Sequence, residues 1–247
     1  MSLKRIPKLR IGDLEAGVPI VQGGMGVGIS LSGLASAVAN EGGIGVIAAA
    51  GIGMLEPDFD RNFKEANKRA LRKEITRAKQ MTTGIIGVNI MVACSDFDDL
   101  FRGAVDGGAD LVFLGAGLPL KIPKILLLDG LGKATIKVVP IVSSARAATI
   151  IFQYWQRNYN HVPDAVVVEG PLAGGHLGFK KEQIDNLSYT LEKILPQVIF
   201  AIKPYEQYFN KSIPVIAAGG IYTGVDIHKF IQLGAQGVQM ATRFVAT

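Results

Sequence analysis

The residues able to do chemistry gather where apolar runs end in glycine. In DAVVVEGPLAGGHLGF, residues 164–179, a β-branched run without alternation suits a parallel strand covered on both faces. It stops at Glu169 in a loop that carries Gly170, Gly174, Gly175 and Gly178 around one histidine, His176. Glycines leave backbone amides uncovered and let a ligand come close. An imidazole, with an ordinary pKa of roughly 6.5, takes or gives a proton near neutrality. His176 is therefore the candidate catalytic group, the plain alternative being a histidine that caps its own loop. Glu169 ends the strand at the same place, where it either bonds a ligand or satisfies loop amides.

A second pair of stretches suits an anion. AAGGI, residues 217–221, and GVQMATRF, residues 237–244, each end an apolar run, and amides following two successive strands present positive dipole to a phosphate. Gly219 and Gly220 permit the approach, Thr242 adds a hydroxyl, and Arg243 adds charge. A phosphate pocket beside glycine loops and a lone histidine suits a phosphorylated cofactor better than a metal. Cys94 is the single cysteine, so no internal disulfide forms and no Cys/His cluster has metal-ligand spacing. His161 in a polar loop and His228 on a helix are expected at the surface.

These stretches are positioned by a repeated unit of short β run, glycine or polar loop, and helix. Strands are expected at residues 19–24, 44–50, 85–92, 110–115, 137–142, 165–169, 213–218 and 237–240. Helices follow at 30–42, with a serine cap and closed by Gly42 and Gly43, then through the basic stretch 61–79, at 97–106, 122–131 and 145–159, within 182–208, and at 225–233. Phe152, Tyr154 and Trp155 on the fifth helix read as packing. Eight such units with no antiparallel hairpin signal indicate an α/β chain folded as a (β/α)8 TIM barrel, a single domain over residues 1–247. The loops after the strands form its functional face, gathering Gly23, Gly24, Met25, Asn89, Ser143, Ser144, the 169–178 loop, Gly219, Gly220 and residues 241–243. The final helix and the C-terminal segment are missing from this pattern, which should bare the apolar outer face where strands eight and one meet unless a partner, such as a second copy in a homodimer, covers it.

Composition narrows the function. The chain has 247 residues, 49% hydrophobic and 19% charged, which excludes disorder. The net charge of +5 is local: eight Lys/Arg against Glu65 and Glu74 lie between positions 61 and 79. Phe63, Ala66, Ala70, Leu71, Ile75 and Ala78 form one stripe of that segment, so the charges decorate the solvated face of an amphipathic helix, and no aromatics interleave them as a nucleic-acid site would want. No apolar run reaches the ~18 residues of a membrane helix and no signal-peptide segment opens the chain, so a cytoplasmic protein without a membrane partner is expected.

Taken together, QGGMG, GVNIM, VVVEGPLAGGHLGF, IPVIAAGGI and GVQMATRF resemble the nitronate monooxygenase family, formerly 2-nitropropane dioxygenases, and its relatives the FMN-dependent enoyl-ACP reductases, from about Pro19 onward. The resemblance implies FMN. It places Gly23, Gly24 and Met25 against the flavin ring, Asn89 in a hydrogen bond to the cofactor, Gly174 and Gly175 beside it, Gly219, Gly220, Met240, Ala241 and Thr242 around the phosphate, and His176 on the family's catalytic histidine; Glu169, from its place at the end of the strand, is read as bonding the flavin or its ribityl hydroxyls, or else satisfying loop amides. Ala241 stands where the family usually has glycine, a change that a negative φ accommodates. FMN is expected over FAD because there is one phosphate site, and GGMGVG lacks the dinucleotide spacing. The implied activity is oxidation of alkyl nitronates with O2. One alternative is NAD(P)H-dependent reduction of an enoyl thioester, to which GAGLP at 115–119 and an acidic carrier for the basic helix point; the other is flavin binding without turnover.

Overall fold

In the computed structural model, which describes residues 7–128 and 136–246, the chain opens with an antiparallel ribbon, β1 (Leu9–Ile11) and β2 (Leu14–Ala16). Eight parallel strands follow: β3 (Ile20–Gln22), β4 (Ile44–Ala48), β5 (Ile85–Met91), β6 (Leu111–Gly115), β7 (Lys137–Val142), β8 (Val166–Glu169), β9 (Val215–Ala218) and β10 (Gly237–Met240). Each pairs with the next, and β10 pairs with β3, closing the barrel. The expected (β/α)8 architecture is the one observed.

Helices alternate with the strands: α1 (Ser32–Asn40), α2 (Phe59–Met81), α3 (Phe97–Asp106), α4 (Lys124–Leu128), α5 (Ala145–Tyr159), α6 (Lys181–Ile184), α7 (Leu191–Phe209), α8 (Gly224–Gln232) and α9 (Thr242–Val245). The strand alternation divides the core in two. Val21, Ile44, Val46, Leu111, Phe113, Val139, Val167 and Ile216 fill the lumen, while the intervening side chains pack outward under the helices. Burial on both faces is why these runs read as continuously apolar.

The hairpin was missed in the sequence, and it has a job. Leu9, Ile11 and Ala16 join the lumen cluster from below, and Asp13 in the turn pairs with Lys137 at 2.6 Å, so the ribbon plugs the N-terminal end of the barrel. The signal existed in Gly12-Asp13, with Gly12 at φ +59°, but the flanking strands are only three residues long.

Four further expectations need correction. Leu31, not a serine, caps α1, and it makes no side-chain cap bond; Glu74 of α2 instead accepts from the Ser32 amide at 2.9 Å. On α2 the stripe holds for Ala66, Ala70, Leu71, Ile75 and Ala78, whereas Phe63 is exposed, because the backbone leaves helical geometry at Asn62. His161 is half-buried and stacks on Trp155, and burial holds its pKa below the usual histidine value. The bare patch expected beyond strand eight is absent at β10, where Val238 and Met240 are buried in one cluster with Phe230, Ile227 and Phe244. Part of the expected 122–131 helix lies outside the described residues.

Candidate active site at the C-terminal mouth of the barrel

Strand parity decides what faces the mouth. On β8, Val166 and Val168 pack outward and Val167 points into the lumen, so the next inward position is Glu169. The same alternation turns Asn89 of β5, Ser143 after β7 and Gln239 of β10 toward the axis. All four are half-buried, directly above lumen side chains with no exposed surface, such as Val139, Val167 and Phe113. The barrel is therefore filled below and open above, with a polar ring at the opening.

Two glycine segments fit tightly here. A Cβ on Gly24 would lie 2.4 Å from Asn89 Cβ, and one on Gly23 would lie 3.2 Å from Ala241 Cβ, so the segments expected to contact one cofactor from β3, β5 and β10 are in contact with each other. Gly219 and Gly220 have φ of +99° and +74°, which favours glycine, and Cβ positions there would lie 3.0 Å from the backbone after β8 and from Leu172. The β8 and β9 loops thus stack face to face. Among the described residues, the amides of Gly219, Gly220 and Thr242 make no hydrogen bond, while those of Gly23 and Gly170 are taken by Met240 and Ala218 carbonyls. Ala241 has φ −124°, so its side chain is accommodated without strain.

Not every expected residue presents its side chain. Met240 packs outward, 6% exposed, and its carbonyl accepts from Gly23, leaving only main chain near the phosphate position. Met25 is half-buried, its amide held by Ser30 Oγ at 3.0 Å. Gly174 and Gly175 border open space, and His176 beside them is exposed. Thr242 is exposed.

Glu169 is the electrostatic outlier. No partner for its carboxylate is found among the described residues, and burial pushes its pKa up to about 7. Near neutrality it is poised between donating a proton and accepting a hydrogen bond. Among the described residues, no group of three or more His, Cys, Asp or Glu side chains could hold a metal ion.

Three arrangements escaped the sequence reading. Gln22, fully buried, accepts from the Val46 amide at 3.0 Å and donates to Ser30 at 2.8 Å, bridging β3 and β4 where they share a single register pair, Val21 with Ile44. Asn67 of α2 accepts from the Gly53 amide and donates to Asp96, both at 2.8 Å, which ties the loop after β4 to two helices. Tyr222 accepts from Arg243 at the rim between β9 and β10. None had a local signal, since each joins residues distant in the chain. A basic hollow of about 420 Å³ on α2, lined by Lys68, Arg69, Arg72 and Lys73, lies apart from the mouth, and Lys68 and Arg69 there are paired with Glu65, Glu56 and Asp58.

The family model described as nitronate monooxygenase matches residues 10–111 and 104–247. The chain belongs to the nitronate monooxygenase family. Relatives within reach include a Mycobacterium tuberculosis (3aS,4S,5R,7aS)-5-hydroxy-7a-methyl-1-oxo-octahydro-1H-indene-4-carboxyl-CoA dehydrogenase, 31% identical over 93% of this chain and 53% of its own length. A probable nitronate monooxygenase of Staphylococcus aureus is 28% identical over 93% of this chain and 65% of its own. The structure of FabK from Thermotoga maritima superposes with a TM-score of 0.69 at 33% identity, over 93% of this chain and 60% of that one. The chain thus spans between about half and two thirds of the length of these relatives.

Proposed function

We propose that the mouth of the barrel binds FMN and oxidises alkyl nitronates with molecular oxygen. The observation that carries this reading is the convergence of Gly24 on Asn89 and of Gly219 and Gly220 on the His176 loop, at the open end of a barrel from this family. The donor set fits the cofactor: amides at Gly219, Gly220 and Thr242 without partners among the described residues, with Ala241 just after the last strand, suit a phosphate, and Gly23 and Gly24, lacking side chains, let a ring come close beside Met25 and Asn89. Flavin, when bound, supplies the redox chemistry. Gly174 and Gly175 flank it without bulk, Glu169 bonds it from the polar ring, and His176, exposed beside them, orients the nitro group or handles its proton.

A second reading, thioester oxidoreduction with NAD(P)H, draws on two observations. The Mycobacterium tuberculosis relative is named for a CoA thioester. Val27, Met54, Leu55, Leu118 and Leu172, on loops after β3, β4, β6 and β8, are exposed at the mouth, where an acyl group would meet them. Anaerobic mixing of the yellow protein with a nitronate and, separately, with NADPH tests the pair. Bleaching by the nitronate alone supports the proposal, bleaching by NADPH alone replaces it with the second reading, and bleaching by neither leaves a flavin-binding protein without turnover. Mass analysis of the released cofactor checks FMN, and FAD would overturn that assignment.

A further inference from the structure

At the rim between the loops after β9 and β10, the Arg243 guanidinium lies over the Tyr222 ring, 4.8 Å from its centroid, and donates from Nη1 to Tyr222 Oη at 3.1 Å. Tyr222 is itself held: its amide and that of Thr223 both donate to Asp226 Oδ2, at 3.1 and 2.8 Å. Among the described residues no carboxylate pairs with Arg243. An arginine parked on an aromatic ring keeps its charge and most of its donors while giving up part of its rotamer freedom, so it meets an anion already oriented. Its neighbour in sequence is Thr242, whose amide has no partner among the described residues, and the Gly219 and Gly220 amides lie three and two residues before Tyr222.

We propose that Arg243 completes the phosphate site by contacting the outer oxygens of the FMN phosphate, and that Tyr222 is the positioning residue that aims it. This rests on the FMN reading above and adds to it a phosphate-specific contact and its support. The ring face and hydroxyl of Tyr222 hold the guanidinium in place, and a planar guanidinium held in this way suits bidentate contact with phosphate oxygens.

The test is titration of apo-protein with FMN and with riboflavin, which lacks the phosphate, followed by flavin fluorescence. Arg243→Gln should weaken FMN by about tenfold and leave riboflavin unchanged, a charged hydrogen bond being worth at least that much. Tyr222→Leu should weaken FMN about threefold, and Tyr222→Phe less, since the ring face survives. In the Arg243→Gln background Tyr222→Leu should have no further effect. Equal weakening of FMN and riboflavin by Arg243→Gln would overturn the phosphate contact. An undiminished effect of Tyr222→Leu without the arginine would overturn the positioning role. Wild-type protein that binds neither flavin would remove the FMN reading itself, an outcome distinct from FMN binding that ignores Arg243.

Discussion

Asp164 and Glu169 stand at opposite ends of one strand, and their surroundings could hardly differ more. Asp164, just before β8, accepts from the Val138 amide and from Lys211, each at 2.8 Å. Asp110 does the same before β6, accepting from the Ile86 amide and pairing with Lys79. At the lower end, carboxylates stitch neighbouring strands together, and a hairpin seals the lumen. Glu169, five residues on from Asp164, has no partner among the described residues and a pKa pushed up to about 7 by burial. The same side-chain chemistry serves cohesion at one end and is left uncompensated at the other. A half-buried carboxyl without a partner costs stability, and such a cost is what sites for ligands commonly carry.

Substitutions at three positions test this contrast. His176→Ala at the open end should lower turnover by about 100- to 10,000-fold while flavin absorbance and melting temperature stay at wild-type values, because the side chain is exposed. Loss of flavin with the activity would assign His176 to structure instead. His176→Asn sharpens the result, since an amide donates hydrogen bonds without exchanging protons near neutrality. Near-normal turnover there would reduce the histidine to a holder of substrate oxygen.

Asp164→Ala at the closed end should do the opposite, removing about 2 to 3 kcal/mol of stability in denaturant titration with turnover preserved in the folded fraction, since it strands the Val138 amide and Lys211. An unchanged unfolding midpoint would show that the lower carboxylates are ornaments of a barrel held by its apolar layers.

The smallest effect belongs to Glu169→Gln and depends on pH. The folded protein holds the Glu169 proton up to about pH 7, whereas an unfolded chain releases it near the ordinary carboxylate value of 4.5. Between those values the native state binds more protons, so this residue makes stability fall as pH rises through the window. The variant escapes that loss: equal to wild type at about pH 4, it should be more stable by about 2 kcal/mol at about pH 8, after allowance for partial exposure. Apo-protein melts across that range measure it, and parallel curves would show that Glu169 finds a partner in solution.

Much of the architecture was legible in the chain because each feature had a local cause. The strands expected at 85–92, 137–142 and 237–240 stood out as β-branched or apolar runs bounded by glycine or polar residues, and burial on both faces requires such runs. The candidate site residues could be listed for the same reason: glycine after a strand is a local requirement, and His176 sits among glycines. The capping of α1 was not legible, since its first amide is served by Glu74 on another helix. Nor was the half-burial of His161, which depends on Trp155 meeting it from α5.

By itself, then, the sequence determined the order of strands and helices, the end of the barrel that carries the loops, and the residue types available there. Only the tertiary structure decided which of them face the mouth. Barrel closure fixed strand parity at the rim, turning Met240 into the packed outer layer and Gln239 and Glu169 toward the mouth. It brought Gly24 against Asn89 and Arg243 over Tyr222, and among the described residues it gave Asp164 two partners and Glu169 none. Periodicity is a property of neighbours along the chain, whereas contact across a closed sheet depends on register between strands tens of residues apart, which no local pattern encodes.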